Sequence, residues 1–205
     1  MVNKMSNTRT FMKSLLITIA SLLMLAAVGT AQAQPFAYIT NQSNNNVSVI
    51  NTATNTVVAT VAVGAAPFGV GVNPAGTSVY ITNRSSNDVS VIDTTTNTVV
   101  ATVVVGTDPQ GVAVNPAGTR AYVANNVTSN VSVIDTTTNT VVATVAVGNF
   151  PFGVAVNPAG TRAYVANFTS NNVSVIDTAT NTVIATMAVG TNPRGVAVNP
   201  AGTRA

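Results

Sequence analysis

The sequence predicts an all-β fold built from four copies of one four-stranded unit, and three observations lead to this prediction. The first is a 42-residue repeat without gaps, seen in Pro67, Pro109, Pro151 and Pro193. The second is that each copy contains four short runs rich in Val, Ile, Thr and Ala, residues that largely favour strands. The third is that Gly, Pro, Asn and Asp separate these runs, which is typical of successive antiparallel hairpins. No helical period extends beyond residues 1–33.

The third copy shows the four strands of one unit. The predicted strands are 111–114, 121–124, 131–134 and 141–147. Four strands in a repeat of this length match one blade of a β-propeller, whereas leucine-rich and β-helix repeats are shorter. The sequence therefore predicts an all-β β-propeller with four-stranded antiparallel blades over residues 34–205. Its repeat copies begin near residues 35, 67, 109, 151 and 193.

The way in which the blades close stays open. The repeat region starts at the second strand of a blade and ends with a first strand, Gly195–Asn199. This last strand is expected to complete the first blade and close a four-blade ring, since propellers have about four to eight blades. The alternatives are a fragment of a larger propeller and a homodimer that forms one eight-blade ring.

The four copies share a tyrosine-containing segment followed by a Val-Ser-Val-Ile strand. These segments are Tyr38-Ile-Thr-Asn41, Tyr80-Ile-Thr-Asn83, Tyr122-Val-Ala-Asn125 and Tyr164-Val-Ala-Asn167. They resemble the YVTN-type β-propeller repeats of surface-layer and other exported proteins, and the resemblance covers residues 35–205. It implies a propeller fold in an exported protein and does not name a ligand.

Residues 1–33 are predicted to form a cleavable signal peptide. Lys4, Arg9 and Lys13 precede the apolar run Leu15–Val28, and Ala31-Gln-Ala33 matches a small-residue cleavage site. An uncleaved N-terminal anchor is the alternative, although the run is short for a membrane span. We expect a secreted, cell-surface or periplasmic protein that has no membrane span after cleavage.

The charge and composition of residues 34–205 argue against two classes of function. Five arginines balance five aspartates there, so the net charge of +3 belongs to residues 1–33 and does not indicate nucleic-acid binding. Residues 34–205 contain no His, Cys, Lys, Glu or Trp. Because catalysis needs positioned acids, bases, nucleophiles or metals, we predict no catalytic residue, metal site or cofactor. A lactonase-like or redox-type propeller enzyme is a remote alternative.

Aspartates recur at one position of the repeat. Asp93, Asp135 and Asp177 stand there, with Asn51 in the first copy, and we interpret them as Asx turns rather than as a ring of Ca²⁺ ligands. An arginine follows each aspartate at one constant interval, and Ser78 follows Asn51 at the same interval. This covariation predicts three inter-blade ion pairs, Asp93–Arg120, Asp135–Arg162 and Asp177–Arg204. Duplication of a unit that contains both positions would produce the same pattern without contact.

Variation among the copies is concentrated in two loops, one before the first strand and one between the second and third strands. Strand alternation places both loops on one side of a propeller, which we call the variable face. Its candidate binding residues are Phe68, Arg84, Asp108, Gln110, Asn149, Phe152, Phe168 and Arg194. Loops on a rigid scaffold often carry binding residues, although they also tolerate neutral drift. The expected ligand is a protein or polysaccharide of the cell envelope.

Two functions remain open from the sequence. The first is a non-catalytic binding or cell-surface scaffold module that uses the variable face. The second is a self-assembling structural protein of the surface or matrix, because the fourth strands, such as Thr140–Val147, are uncharged and rich in β-branched residues. Such strands at the outer edge of each blade could pair with those of other copies and form a homodimer or a higher assembly.

Overall fold

The computed structural model describes residues 36–205. The predicted signal peptide, residues 1–33, lies outside the described residues. Blade 1 has three strands, β1 (Phe36–Asn41), β2 (Asn46–Asn51) and β3 (Thr56–Ala62), with a one-turn 3-10 helix at Gln42–Asn44. Within residues 36–205 no helix is long and apolar enough to cross a membrane.

Blades 2, 3 and 4 have four antiparallel strands each, in chain order. Blade 2 contains β4 (Pro67–Val72), β5 (Ser78–Asn83), β6 (Asp88–Asp93) and β7 (Thr98–Val104). Blade 3 contains β8 (Pro109–Val114), β9 (Arg120–Asn125), β10 (Asn130–Asp135) and β11 (Thr140–Ala146). Blade 4 contains β12 (Pro151–Val156), β13 (Arg162–Asn167), β14 (Asn172–Asp177) and β15 (Thr182–Ala188). The predicted blades and their strand order are confirmed.

The hydrophobic core lies between neighbouring blades. Successive residues of a strand point to opposite faces of its sheet, so each blade contributes side chains to two interfaces. Tyr80 of β5 packs with Val123 and Ile134 of blade 3. One repeat later, Tyr122 packs with Ile176 of blade 4. The same residue pattern therefore builds one interface after another along the chain.

The inner strands of successive blades approach each other closely. A Cβ atom placed at Gly111 of β8 would lie 2.6 Å from the carbonyl oxygen of Phe152 on β12. A Cβ atom at Gly69 of β4 would likewise collide with the carbonyl of Gln110 on β8. Glycine at this position is therefore required for the backbones to come this near.

The expected closure of a four-blade ring is wrong for the described residues. Residues 189–205 form no strand, and blade 1 keeps three strands without a contribution from Gly195–Asn199. The carbonyl of Arg194 lies instead against Gly153 of β12. The segment thus lies beside the preceding inner strand, as β8 lies beside β4. Because the repeat places each inner strand next to the one before it, the segment is not delivered to β1.

The repeated Asp and Asn side chains form Asx turns, as predicted. Asp93 Oδ1 accepts hydrogen bonds from the backbone N–H groups of Thr95 at 2.8 Å and Thr96 at 2.9 Å. Asn51 Oδ1 accepts the same two bonds in blade 1. The side chain therefore closes the hairpin between the third and fourth strands, whether it is a carboxylate or an amide.

The predicted inter-blade ion pairs are wrong, because the arginines pair within their own blades. Arg120 contacts Asp135 at 2.6 Å, and Arg162 contacts Asp177 at 2.7 Å. The members of each pair are cross-strand neighbours in the antiparallel register, so each arginine precedes its partner aspartate in the chain instead of following it. Asp93 faces Ser78 in this register, and no arginine pairs with it among residues 36–205.

Arg204 and Asp177 complete this correction. Asp177 is paired with Arg162, and no ion pair joins it to Arg204 within residues 36–205. Arg204 donates its backbone N–H to the side chain of Asn199 at 2.9 Å, which is the turn contact that Arg120 and Arg162 also make. The arginine is thus the first residue after an Asn-Pro-Ala-Gly-Thr turn in each case.

We expect acid to weaken the Asx turns. The backbone N–H of Thr96 above all lowers the pKa of Asp93, and the N–H groups of Thr138 and Thr180 act alike on the pKa values of Asp135 and Asp177. A lowered folded pKa gives stability that is present above the ordinary pKa of 3.8 and is lost as the pH falls through the folded value.

The test uses blade 1 as its guide, because Asn51 already serves there. The melting temperature of the wild-type chain should fall below about pH 4. A variant with Asp93→Asn, Asp135→Asn and Asp177→Asn should show a smaller fall over the same range. An equal fall in both proteins would show that these carboxylates are not the acid-sensitive groups.

Candidate functional site

The variable face forms where backbone hydrogen bonds join the two loops of a blade. The N–H of Arg84, after β5, donates to the carbonyl of Ala66, before β4, at 3.1 Å. In blade 4 the N–H of Phe168 donates to the carbonyl of Phe150 at 3.0 Å. The structure thus brings together the two variable loops of each of these blades.

Five side chains of this face form a continuous group, which we call the aromatic–arginine cluster: Phe68, Arg84, Phe152, Phe168 and Arg194. The rings of Phe68 and Phe152 meet edge to face, with centroids 5.7 Å apart and an interplanar angle of 85°. The guanidinium of Arg84 lies 5.4 Å from the Phe68 ring centroid. That of Arg194 lies 5.0 Å from Phe152 and 4.8 Å from Phe168. Each arginine thus makes cation–π contacts.

The inner strands explain why these residues meet. Phe68, Gln110, Phe152 and Arg194 follow the repeated prolines at equivalent positions. The close approach of the inner strands draws these positions together, so that rings from β4 and β12 touch across the blade between them. Gln110 stands on that intervening blade, with 1% of its surface exposed. Its buried Oε1 atom has no hydrogen-bond partner among the described residues.

The two arginines of the cluster differ in their charge environment. Arg84 Nε lies 2.8 Å from Asp108 Oδ1, which makes an ion pair between blade 2 and blade 3 on the variable face. Arg194 is exposed and has no carboxylate partner within residues 36–205. The cluster therefore contains one neutralised guanidinium and one that is available to an anion.

Asn149 has a different role from the other predicted site residues. Its backbone N–H donates to the hydroxyl of Ser170 at 2.7 Å, and its carbonyl accepts the N–H of Thr169 at 3.3 Å. These contacts hold the loop before β12 against the loop after β13. No ring or ion-pair contact joins Asn149 to the aromatic–arginine cluster in the described part of the chain.

Phe150 belongs to the same loop and was missed by the sequence analysis. Its φ is +55°, a left-handed conformation that a bulky side chain seldom adopts, and 44% of its surface is exposed. The equivalent residues Ala66, Asp108 and Asn192 are smaller or are better suited to positive φ. Backbone strain and an exposed ring thus coincide at the variable face, a combination that often marks a functional site.

The turn that faces Phe150 departs from the repeat as well. In blade 2 the side chain of Asn87 accepts a hydrogen bond from the backbone N–H of Asp108 at 2.9 Å, and Asn45 and Asn171 accept the same bond at their junctions. Ser129 replaces this asparagine opposite Phe150, and no such bond is formed there in the described structure. The replacement of Asn by Ser in one of four copies was the sequence signal that could have indicated this site.

We expect Ser129→Asn to raise the free energy of unfolding by about 1 kcal/mol, because it supplies the missing hydrogen bond and suits the positive φ of this position. Urea unfolding followed by circular dichroism measures the change. Asn87→Ser, which removes the equivalent bond in blade 2, should lower stability by a similar amount. A Ser129→Asn variant no more stable than the wild type would contradict this view of the junction.

Consecutive four-stranded antiparallel blades, packed through their inner strands, define a β-propeller. Hydrazine synthase from Kuenenia stuttgartiensis is similar over 86% of this chain and 56% of that chain, with a TM-score of 0.78 and 28% sequence identity. A protein of unknown function from Desulfotomaculum acetoxidans is similar over 84% of this chain and 59% of that chain, with a TM-score of 0.73 and 18% identity.

The chain therefore spans a little over half the length of both structures. No family model matches the chain, and no curated protein matches it. The structural similarity concerns the fold of the blades and does not by itself assign an activity.

Proposed function

We propose that this protein is an exported, non-catalytic β-propeller of the YVTN type that serves as a binding or cell-surface scaffold module. The observation that carries the proposal is the aromatic–arginine cluster on the variable face. There, side chains from different blades converge on exposed rings and an unpaired guanidinium. The opposite face repeats the same Asx and Asn-Pro-Ala-Gly-Thr turns in successive copies.

The composition supports a binding role rather than a catalytic one. Residues 34–205 contain no His, Cys, Lys or Glu, so a hydroxyl nucleophile has no such base to activate it. The strand serines are also engaged in structural contacts. Ser132, for example, accepts a hydrogen bond from the side-chain amide of Asn125 at 2.8 Å. The shared fold does not extend the activity of hydrazine synthase to this chain, which matches 56% of that structure.

The pattern of residues 1–33 supports export to the periplasm, the cell surface or the medium. A protein or polysaccharide of the cell envelope is therefore the ligand class that such a module would meet. The rigid blades would present the variable face to this ligand.

The test is a thermal shift of the purified chain with fractions of cell-envelope protein and polysaccharide. Phe152→Gln should abolish a saturable rise in melting temperature, and glutamine is compatible with the fold because Gln110 stands at the equivalent position. Val142→Ala, which shortens an exposed side chain on the outer strand of blade 3, should leave the shift unchanged. An undiminished shift in Phe152→Gln, or the absence of any shift in the wild type, would contradict the proposed function.

A second candidate is the self-assembling surface or matrix protein. The observation that favours it is the set of exposed valines on the outer strands, including Val104 with 77% of its surface exposed. Each outer strand also contains a bulge, which in blade 3 leaves Val142 without a partner on β10. Bulges disrupt the regular edge that strand addition needs. Fibres or sheets in electron micrographs would favour assembly, and a persistent monomer in light scattering would contradict it.

A further inference from the structure

We infer that the aromatic–arginine cluster is a carboxylate site for the C-terminal end of an apolar peptide. The inference rests on the proposed function and specifies its ligand. In this arrangement Arg194 binds the carboxylate, the exposed part of Phe68 contacts the apolar side chain, and Gln110 accepts an N–H of the peptide.

Arg194 provides the first argument. Its guanidinium lies 5.0 Å and 4.8 Å from the centroids of the Phe152 and Phe168 rings, and it is exposed. Cation–π contacts with two rings orient the planar guanidinium and limit the side-chain freedom that a flexible arginine would lose on binding. Its N–H groups match the two oxygens of a carboxylate, which arginine binds in a bidentate manner.

The other half of the cluster shows this chemistry already occupied. Arg84 stacks on Phe68 at 5.4 Å, as Arg194 does on Phe152, and Arg84 also binds the carboxylate of Asp108 at 2.8 Å. The same face thus contains one arginine–phenylalanine pair with a carboxylate and one without a carboxylate among the described residues. An external carboxylate on Arg194 would give both halves the same set of contacts.

Gln110 provides the second, independent argument. It is 1% exposed, and its buried Oε1 atom has no hydrogen-bond partner in the described part of the chain. An unsatisfied buried acceptor is unfavourable, and a donor that reaches it restores a hydrogen bond. Gln110 stands on the blade between the two whose rings touch, so a ligand N–H that passes between these rings would supply the missing donor.

The apolar surroundings favour a peptide over an acidic polysaccharide. Phe68 is 38% exposed, and Phe150 extends the apolar surface of the loop before β12. The carboxylate of Asp108 is already bound to Arg84, which leaves few free polar groups for the hydroxyls of a sugar. A peptide terminus places an apolar side chain and an N–H group next to its carboxylate. These are the three features that the cluster recognises.

N-Acetyl-L-phenylalanine contains all three features and serves as the probe for the purified full chain, with its C-terminal amide as the matched ligand. Chemical-shift titration should give a dissociation constant of about 1 mM for the acid, given the size of the ligand. The amide should bind about tenfold more weakly, because it lacks the charge that Arg194 recognises.

The protein variants separate a specific contact from a general charge effect. Arg194→Gln should weaken binding of the acid by about tenfold, and glutamine is already present at the equivalent position 110. Arg204→Gln removes the same charge from an Asn-Pro-Ala-Gly-Thr turn and should leave binding unchanged. Arg194→Lys should give an intermediate affinity, since it keeps the charge and loses the bidentate geometry.

Equal affinity for the acid and its amide, or unchanged binding by Arg194→Gln, would overturn the inference. Binding of trigalacturonate with no binding of the acid would overturn it in favour of a polysaccharide. Failure of every probe would also overturn it, whereas the proposed function would still stand if a cell-envelope fraction gave a thermal shift that Phe152→Gln abolishes. Absence of that shift as well would contradict both.

Discussion

Tyr122→Ala is expected to lower the free energy of unfolding by about 3–5 kcal/mol, the range for loss of a large buried aromatic side chain. Tyr122 is 1% exposed and packs against Val165 and Ile176 of blade 4. The equivalent Tyr164 is partly exposed, because no blade follows blade 4 in the described residues. Tyr164→Ala should therefore have less than half the effect of Tyr122→Ala. Urea unfolding followed by circular dichroism measures both.

This pair of variants isolates the packing between blades, since both remove the same side chain from the same position of the repeat. Equal losses of stability would mean that Tyr164 is covered in solution. Light scattering on the same samples would then distinguish a compact monomer, in which the chain itself covers Tyr164, from an assembly in which a second copy does so.

Gly111→Ala is expected to lower the free energy of unfolding by about 1–3 kcal/mol. The added Cβ would lie 2.6 Å from the carbonyl oxygen of Phe152, so the inner strands of blades 3 and 4 would have to separate. Gly195 is the matched control, because it holds the same repeat position and has no atom within 4 Å of its Cβ direction. Gly195→Ala should leave stability unchanged or raise it by about 0.4–1 kcal/mol, through a less flexible unfolded chain.

A large loss of stability in Gly195→Ala would show that another strand packs on this segment in solution. No loss in Gly111→Ala would contradict the close approach of the inner strands. The two variants thus test the packing near the propeller axis, as the tyrosine variants test the packing within the blade interfaces.

The blades could be predicted because their determinants are local. Asp135 closes a hairpin with its own backbone neighbours, and Asn115 does the same in the preceding turn, so each turn position is fixed by adjacent residues. Partners across strands are not fixed in this way. In a repeat, Arg120 follows one aspartate, Asp93, and precedes another, Asp135, and only the strand register shows which of the two it contacts. The predicted ion pairs were wrong for this reason.

The closure of the ring could not be predicted for a related reason. Gly195–Asn199 has the sequence of an inner strand, and such a strand fits beside β12 as well as beside β1. The bulges of the outer strands also escaped the sequence analysis. They arise because a longer strand, such as β11, pairs with a shorter one, such as β10.

The variable loops of the candidate site were predictable, because they differ among otherwise similar copies. Their contacts were not, since Phe68 and Phe152 lie two repeats apart and meet only through the approach of the inner strands. The burial of Gln110 is likewise a property of its neighbours. Phe150 was missed because its unusual backbone angle follows from the shape of the loop rather than from its own side chain.

The most direct test of the binding account labels the two faces of the protein separately. The chain has no cysteine, so a single cysteine can carry an environment-sensitive fluorophore. Thr169→Cys places it on the variable face and Thr137→Cys on the opposite turns, and both threonines are exposed. Titration with the cell-envelope fraction that shifts the melting temperature should give a saturable change from position 169 and none from position 137. A change at position 137 alone, or at neither position, would contradict a ligand site on the variable face.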